Sequence, residues 1–280
     1  MTSESAYSSS AENTAREYYN SDDADNFYYT IWGGEDLHLG IYEAGDEGIF
    51  AASRRTVDRM VGRLARLEPG MKLLDVGSGF GGSARHLART RGCHVTCLNI
   101  SEKENARNRK MNQEQGLAHL IEVKDGSFED IPFPDNTFDV VWSQDAILHS
   151  GNRDQVVQEI ARVVKPGGEV VFTDPMAADD APAGALTPIL SRIHLETLGC
   201  PGFYLSAAKE AGLTDQGFVD LTPHLVRHYA RVLEESEKNA EALSRVCSSE
   251  YVERMKTGLG NWVEGGRKGH LAWGIFLFQK

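Results

Sequence analysis

Between Lys72 and Thr173 short apolar runs alternate with helix-like segments, and no other feature of the chain limits its fold so strongly. The apolar runs Lys72–Val76, His94–Asn99, Leu120–Val123, Phe138–Ser143 and Glu169–Thr173 are predicted strands. Helical spacing between them covers Gly82–Thr90, Glu102–Gln115 and Asp154–Val164, and Lys165-Pro166-Gly167-Gly168 supplies a break before the fifth strand. A strand that returns to its own sheet through a helix runs parallel to its neighbour. The pattern therefore predicts an α/β fold whose mostly parallel sheet is covered on both faces.

The flanking sequence adds helices. Residues 11–70 carry helical spacing over Ala11–Tyr19 and an amphipathic helix over Ile49–Leu67, closed by Pro69-Gly70. The aromatic stretch Phe27-Tyr28-Tyr29-Thr30-Ile31-Trp32 interrupts the pattern between them. Beyond residue 175 the alternation lapses into helical segments at Leu186–Leu198, Leu205–Ala211, Leu225–Val246 and Glu250–Val263. Strands at Phe218–Leu221 and Leu271–Phe278 are expected to pair as a hairpin. The chain thus divides into a disordered tail (1–10), an N-terminal helical segment contributing to the active site (11–70), a Rossmann-like core (71–175), and lid helices with closing strands (176–280).

A hydrophobic content of 41% supports one substantial core. The formal charge of -12 argues against nucleic acid, whose binding rests on Lys and Arg neutralising phosphates. Cys93, Cys97, Cys200 and Cys247 form no C-x-x-C pair, so neither a zinc site nor a disulfide framework is expected. The first ten residues lack the apolar core of a signal peptide, and no run of about 18 apolar residues occurs, which predicts a soluble, cytoplasmic protein without membrane contact. The sequence carries no signal for an oligomeric state.

In an open parallel sheet, ligands bind beyond the carboxyl ends of the strands where the strand order reverses. After the first strand, Gly77, Ser78, Gly79 and Gly81 let the backbone turn tightly and approach a ligand ahead of a helix N-terminus. A glycine loop of this kind serves nicotinamide dehydrogenases as well. Asp75, two residues before Gly77, instead suits a ligand bearing an ammonium group, which favours S-adenosylmethionine over a dinucleotide. Asn99 and Ile100 follow the second strand, where an acidic residue commonly grips both ribose hydroxyls. Asn99 could serve that ribose or cap the helix beginning near Ser101. After the third strand, Ser127 and Phe128 can hold an adenine by hydrogen bond and ring contact.

The loop after the fourth strand, Ser143-Gln144-Asp145-Ala146-Ile147-Leu148-His149-Ser150, is more distinctive. Together with Tyr18-Tyr19-Asn20, Trp32-Gly33-Gly34-Glu35-Asp36-Leu37-His38, Thr173-Asp174-Pro175-Met176, Pro188 to His194, and the segments Trp262 to Gly266 and Trp273-Gly274, it resembles sarcosine/dimethylglycine N-methyltransferases, the enzymes completing glycine betaine synthesis. The likeness spans nearly the whole chain. It implies a class I methyltransferase fold, with a seven-stranded sheet ending in an antiparallel hairpin and a helical lid, and S-adenosyl-L-methionine as cofactor. The same segments are more distantly similar to phosphoethanolamine N-methyltransferases, in which a Tyr and a His latch over the cofactor. Carried across, those are Tyr19 and His149, with Asp145 facing the substrate amine. Gln144 replaces a basic residue of that pattern, and Asn99 and Ser127 replace acidic ones.

Methyl transfer from a sulfonium to an amine asks the protein mainly to align donor and acceptor and to exclude water. The amine must be unprotonated, and a nearby carboxylate or His can take its proton. Asp145 and His149, four apart, share a face if that loop is helical; the alternative is a helix cap and a core histidine. Aromatic faces attract a cationic product, with Tyr18, Tyr28, Trp32, Tyr204 and Trp262 as candidates. For a substrate carboxylate the candidate is Arg192, which could instead pair with Glu196. The expected substrate is a small zwitterionic amine. Rival readings are an N-methyltransferase for glycine or phosphoethanolamine, and a catalytically silent cofactor-binding protein.

Overall fold

A computed structural model of the 280-residue chain describes residues 10–32, 34–193 and 195–280. The tail 1–9, Gly33, His194 and the side chains of Ser10 and Arg192 lie outside the described residues. In chain order the elements are α1 (Ser10–Tyr19), α2 (Asp22–Ile31), α3 (Ile49–Val61), β1 (Lys72–Val76), α4 (Gly82–Arg91), β2 (His94–Asn99), α5 (Glu102–Glu114), β3 (Ile121–Asp125) and β4 (Phe138–Gln144). After a 3-10 turn (Ile147–His149) come α6 (Arg153–Val163), β5 (Val164–Thr173), β6 (Met176–Ala177), α7 (Thr187–Ile193), α8 (Pro201–Glu210), β7 (Thr214–Asp220), α9 (Thr222–Lys238), α10 (Ala240–Leu243), α11 (Ser249–Arg267), β8 (Leu271–Ala272) and β9 (Gly274–Gln279).

Seven strands form one sheet in the order β3-β2-β1-β4-β5-β9-β7, with β1 to β5 parallel and β9 antiparallel to both β5 and β7. The expected mostly parallel sheet closed by an antiparallel hairpin is therefore present. Strands β1 to β3 build outward on one side before β4 returns to the other side of β1, so the order reverses there and opens a crevice at the strand ends. Alternation along β1 sends Leu74 and Val76 to one face and Leu73 to the other. Each such side chain, removed from water, contributes about 1.5–3 kcal/mol.

A third apolar cluster lies off the sheet, where α1 and α2 meet α9 and α11 through Phe27, Ile31, Val232 and Leu259. This helical cap roofs the strand ends. The aromatic stretch does not interrupt it: Ser21 caps α2 by accepting from the Ala24 N–H, and Ala24, Phe27, Tyr28 and Ile31 recur at helical spacing as its buried face. Aromatic residues have modest helix propensity, but burial of that face overrides it.

Other boundaries also differ from expectation. Lys165–Gly168 does not end the strand; Val164 pairs with Phe138 and Glu169 with Val140, and the residues between bulge out of the ladder. The last strand is divided at Trp273, because Leu271–Ala272 pairs with β6 while Gly274 onward joins the main sheet. Asn239 interrupts the long helix expected over Leu225–Val246, and the helix expected over Leu186–Leu198 is confined to α7. The helix α8 is no part of the lid: its Tyr204, Ala207 and Ala208 pack on the sheet face with Phe172 and Phe276. Among the described residues no helix is long and apolar enough to cross a membrane.

Candidate active site

The glycine loop begins at the end of β1, where the N–H groups of Gly77 and Ser78 both donate to the Leu98 carbonyl of β2. Gly77 has φ +73, and a Cβ there would sit 2.2 Å from the Ala146 methyl. Glycine is required on both counts, and the loops after β1 and β4 close to contact. Asp75 is buried behind this loop, off the cavity walls, and desolvation pushes its carboxyl up to about 7, opposed by His38. Ser78 also lies off the walls, with its hydroxyl buried and unpartnered among the described residues.

In front of the loop is a cavity of about 690 Å³, counted with the solvent at its mouth. Its walls include Gly77, Gly79, Asn99, Ile100, Ser127, Phe128 and Gln144, so the structure brings most of the sequence-nominated cofactor positions together. Asn99 is not the cap of α5. That role falls to Ser101, whose hydroxyl accepts from the Glu104 N–H, while Asn99 Nδ2 donates to Glu104 Oε2 at 2.8 Å. Glu104 itself lines the cavity at 4% exposure. Its carboxyl is pushed up to about 7 by burial, against the Asn99 hydrogen bond. Ser127 donates to a second buried carboxylate on the wall, Glu12 of α1. Gln144 Oε1 accepts from Ser83 Oγ at 2.6 Å and Trp142 Nε1 at 3.0 Å. That arrangement leaves Nε2 as a buried donor without a partner among the described residues.

None of the described side chains on this wall is Lys or Arg. The three carboxylates Glu12, Glu104 and Asp145 and a spare amide donor are poorly matched to a pyrophosphate. They fit S-adenosylmethionine, which offers neutral hydroxyl and amino donors, an acceptor carboxylate and two positive groups.

A second cavity, of about 890 Å³ with its open mouth, adjoins the first and shares Ala15, Tyr19, Leu37, Asp145 and His149 with it. Four of the five nominated aromatic residues, Tyr18, Tyr28, Trp32 and Trp262, line it. Such walls suit a small cation that offers few hydrogen bonds. Tyr204 is absent from them; it is fully buried beneath the sheet's end, where its hydroxyl donates to Asp174 Oδ2 at 2.7 Å. Asp174 in turn accepts from the Leu148 N–H through its other oxygen at 3.0 Å, so Tyr204 stands two bonds behind the turn that carries His149. No described Lys or Arg side chain reaches this second wall, although Ile193, the residue after Arg192, does.

Asp145 occupies the junction. The loop is not the helix that would align Asp145 with His149; Asp145 has φ +54, and only the three-residue 3-10 turn follows. A left-handed non-glycine residue costs about 1–3 kcal/mol and persists where surrounding contacts over-determine it. Here Asp145 Oδ2 accepts from the Leu39 N–H at 2.6 Å and Oδ1 from Trp273 Nε1 at 2.8 Å. Burial raises its pKa, and those two donors and the His38 charge oppose the rise. Across the junction the Tyr19 hydroxyl and His149 Nε2 share a hydrogen bond of 2.9 Å, their rings edge to face.

Sequence reasoning missed four contributors: Glu12, Glu104, Leu39 and Trp273. Glu104 carried a signal, since Ser101-x-x-Glu104 is a capping-box pattern placing that carboxylate in the first turn of α5. Glu12 lies seven residues before Tyr19, so both occupy one face of α1. Nothing local marked Leu39 or Trp273.

Comparison with known proteins agrees with this geometry. Residues 74–172 match the family described as "Methyltransferase domain". A sarcosine/dimethylglycine N-methyltransferase of Halorhodospira halochloris is 54% identical over 98% of this chain and 98% of its own length. One from Aphanothece halophytica is 54% identical over 95% of this chain and 96% of its own length. A crystal structure from Galdieria sulphuraria, assigned as a sarcosine dimethylglycine methyltransferase, superposes with a TM-score of 0.89 at 45% identity, covering 94% of this chain and 98% of the other. With its strand order, its glycine loop and identity at this level over almost its full length, the chain belongs to the sarcosine/dimethylglycine N-methyltransferase family of S-adenosylmethionine-dependent enzymes.

Proposed function

We propose that the chain methylates sarcosine and dimethylglycine to glycine betaine, with S-adenosylmethionine as methyl donor. The observation that carries this reading is the meeting of an acid-lined cavity and an aromatic cavity at Asp145, His149 and Tyr19. Asn99 and Glu104 are assigned to the ribose hydroxyls, and Ile100 and Phe128 to the adenine faces. The unpartnered Gln144 amide is assigned to the methionyl carboxylate. Asp75 and Ser78 act from behind the glycine loop, and Gly77 and Gly79 let the chain approach the ligand.

The cofactor, when bound, supplies an electrophilic methyl on a positive sulfur. The residues do the remainder. Asp145, held by Leu39 and Trp273, attracts the cationic substrate nitrogen by its charge and holds it at the junction of the two cavities. His149, coupled to Tyr19, receives that proton. Tyr28 and its aromatic neighbours face the cationic carbon shell of the amine, and Arg192 is assigned to its carboxylate. The helices α1 and α2 and the helices α9 to α11 form the roof that excludes water, while α3 packs on the sheet, which supports an N-terminal segment and a lid set around the core.

The absence of described Lys and Arg from both walls weighs against phosphoethanolamine. Four free thiols fit a reducing cytoplasm, and the net charge of -12 fits a chain that does not engage nucleic acid. The test is incubation of the purified chain with methyl-labelled S-adenosylmethionine and, separately, glycine, sarcosine, dimethylglycine and phosphoethanolamine. Labelled betaine is expected from dimethylglycine, and its absence would refute the substrate assignment.

A further inference from the structure

We propose that Glu12, on the N-terminal helix, reads the 6-amino group of the cofactor's adenine through its pairing with Ser127, so that α1 docks fully only over the correct base. The inference rests on the assignment of S-adenosylmethionine to the first cavity. An adenine amino group lying beside the loop after β3 needs an acceptor. Ser127 stands there in place of a carboxylate; its hydroxyl accepts from the Glu129 N–H at 2.9 Å and gives its one proton to Glu12, which leaves it a single neutral lone pair. The charged, and so stronger, acceptor at that end of the cavity is Glu12, which is 4% exposed and on the wall. Serine at 127 leaves room for a carboxylate that arrives from another element.

The geometry of α1 makes this contact one of three. Glu12, Ala15 and Tyr19 fall three and four residues apart and present one helical face to the cavity. At the far end Tyr19 bonds His149, beside the reacting atoms. In between, Arg16 grips Glu102 through Nε and Nη2, and Asn20, just past the end of α1, bonds both Glu102 and Ser101 at the start of α5. A helix fixed at the base, at the ribose side and at the catalytic histidine couples the three. A 6-oxo base would set a carbonyl oxygen against the Glu12 carboxylate, so the cost of the wrong base falls on the docking of the helix that also carries Tyr19.

Calorimetry with S-adenosylhomocysteine and S-inosylhomocysteine, which carries a 6-oxo base, tests this on the full chain and on Glu12→Gln. The parent protein is expected to prefer the adenosyl compound by tenfold or more, the scale of one hydrogen bond to a charged group. In Glu12→Gln that preference is expected to shrink about tenfold, because an amide can donate to the 6-oxo group. A merely structural role for Glu12 would weaken both ligands alike and leave the ratio unchanged, which would overturn the proposal. If Glu12→Gln binds neither ligand, Ser127→Ala provides the second reading. Loss of the Glu12 anchor there is expected to lower the same ratio by roughly threefold, and an unchanged ratio overturns the proposal. A parent protein that fails to bind the adenosyl compound refutes the cofactor assignment as well, whereas binding with an invariant ratio refutes only the role of Glu12.

Discussion

Trp273 Nε1 donates to Asp145 Oδ1 at 2.8 Å, tying the junction of β8 and β9 to the loop after β4. The indole is wholly buried and serves as a fixed donor to a strained residue. Replacing Trp273 by Phe removes that donor while keeping an aromatic body. The hydrogen bond holds the Asp145 pKa down, so its loss moves the pKa further up and shifts the acidic limb of the pH–rate profile to higher pH. Turnover is expected to fall about tenfold at neutral pH, with little change in S-adenosylhomocysteine affinity. An acidic limb that stays in place would dismiss this role.

His149 is expected to act on the amine proton more than on the cofactor. His149→Ala should lower kcat by about a hundredfold, the lower range for a lost general base, while calorimetric affinity for S-adenosylhomocysteine changes less than about threefold. Tyr19→Phe keeps the ring edge against His149 and removes the shared hydrogen bond, so a smaller loss of kcat is expected. Parallel losses of turnover and affinity in His149→Ala would make it a packing residue.

Glu104 predicts opposite effects on stability and binding. Its folded pKa of about 7 stands above the ordinary value of 4.5, raised by burial and by Asp25 and lowered by Asn99 and Arg107. The native state therefore holds a proton that the unfolded chain has released between those values, and the contribution of Glu104 to stability declines as pH rises through that window. Glu104→Gln should stabilise the ligand-free protein at pH 8 by about 1–3 kcal/mol and change it little at pH 4.5, measured by denaturant melts. The same variant should bind S-adenosylhomocysteine about tenfold more weakly at pH 8 and lose no further affinity for an analogue lacking the ribose hydroxyls. Equal loss on both ligands would separate Glu104 from the ribose.

Arg192 is tested by substrate rather than by fold. Arg192→Ala is expected to raise KM for dimethylglycine about tenfold or more, and to leave KM for a tertiary amine without a carboxylate nearly unchanged. Tyr28→Leu should weaken both amines by roughly threefold to tenfold, since cation–π attraction ignores the carboxylate. A common loss in Arg192→Ala would remove it from the carboxylate site.

Much of the core was legible because its signals are local. β1 and β2 occupy the expected Lys72–Val76 and His94–Asn99, and the glycines after β1 have the positive φ that their spacing implied. The N-terminal aromatic stretch misled, since Tyr28 and Phe27 look like strand or loop residues until α9 and α11 are present to bury them. Tyr204 misled in the other direction. An aromatic residue beyond the fifth strand could face a substrate or the sheet, and only the packing of α8 on β5 and β9 chose the sheet.

The sequence by itself determined the sheet, the loops that end its strands, and the residue types at the crevice, because periodicity and glycine chemistry act over a few neighbouring residues. Tertiary structure decided how those residues are completed. Glu12 reaches Ser127 across 115 positions, the Leu39 amide reaches Asp145 across 106, and Trp273 reaches it across 128. A hydrogen bond needs two groups within about 3 Å, and no local pattern encodes which distant segment will deliver the second. Packing of the helical cap against the strand ends makes that choice, and with it gathers the carboxylates of Glu12, Glu104 and Asp145 around the cavity in front of the glycine loop.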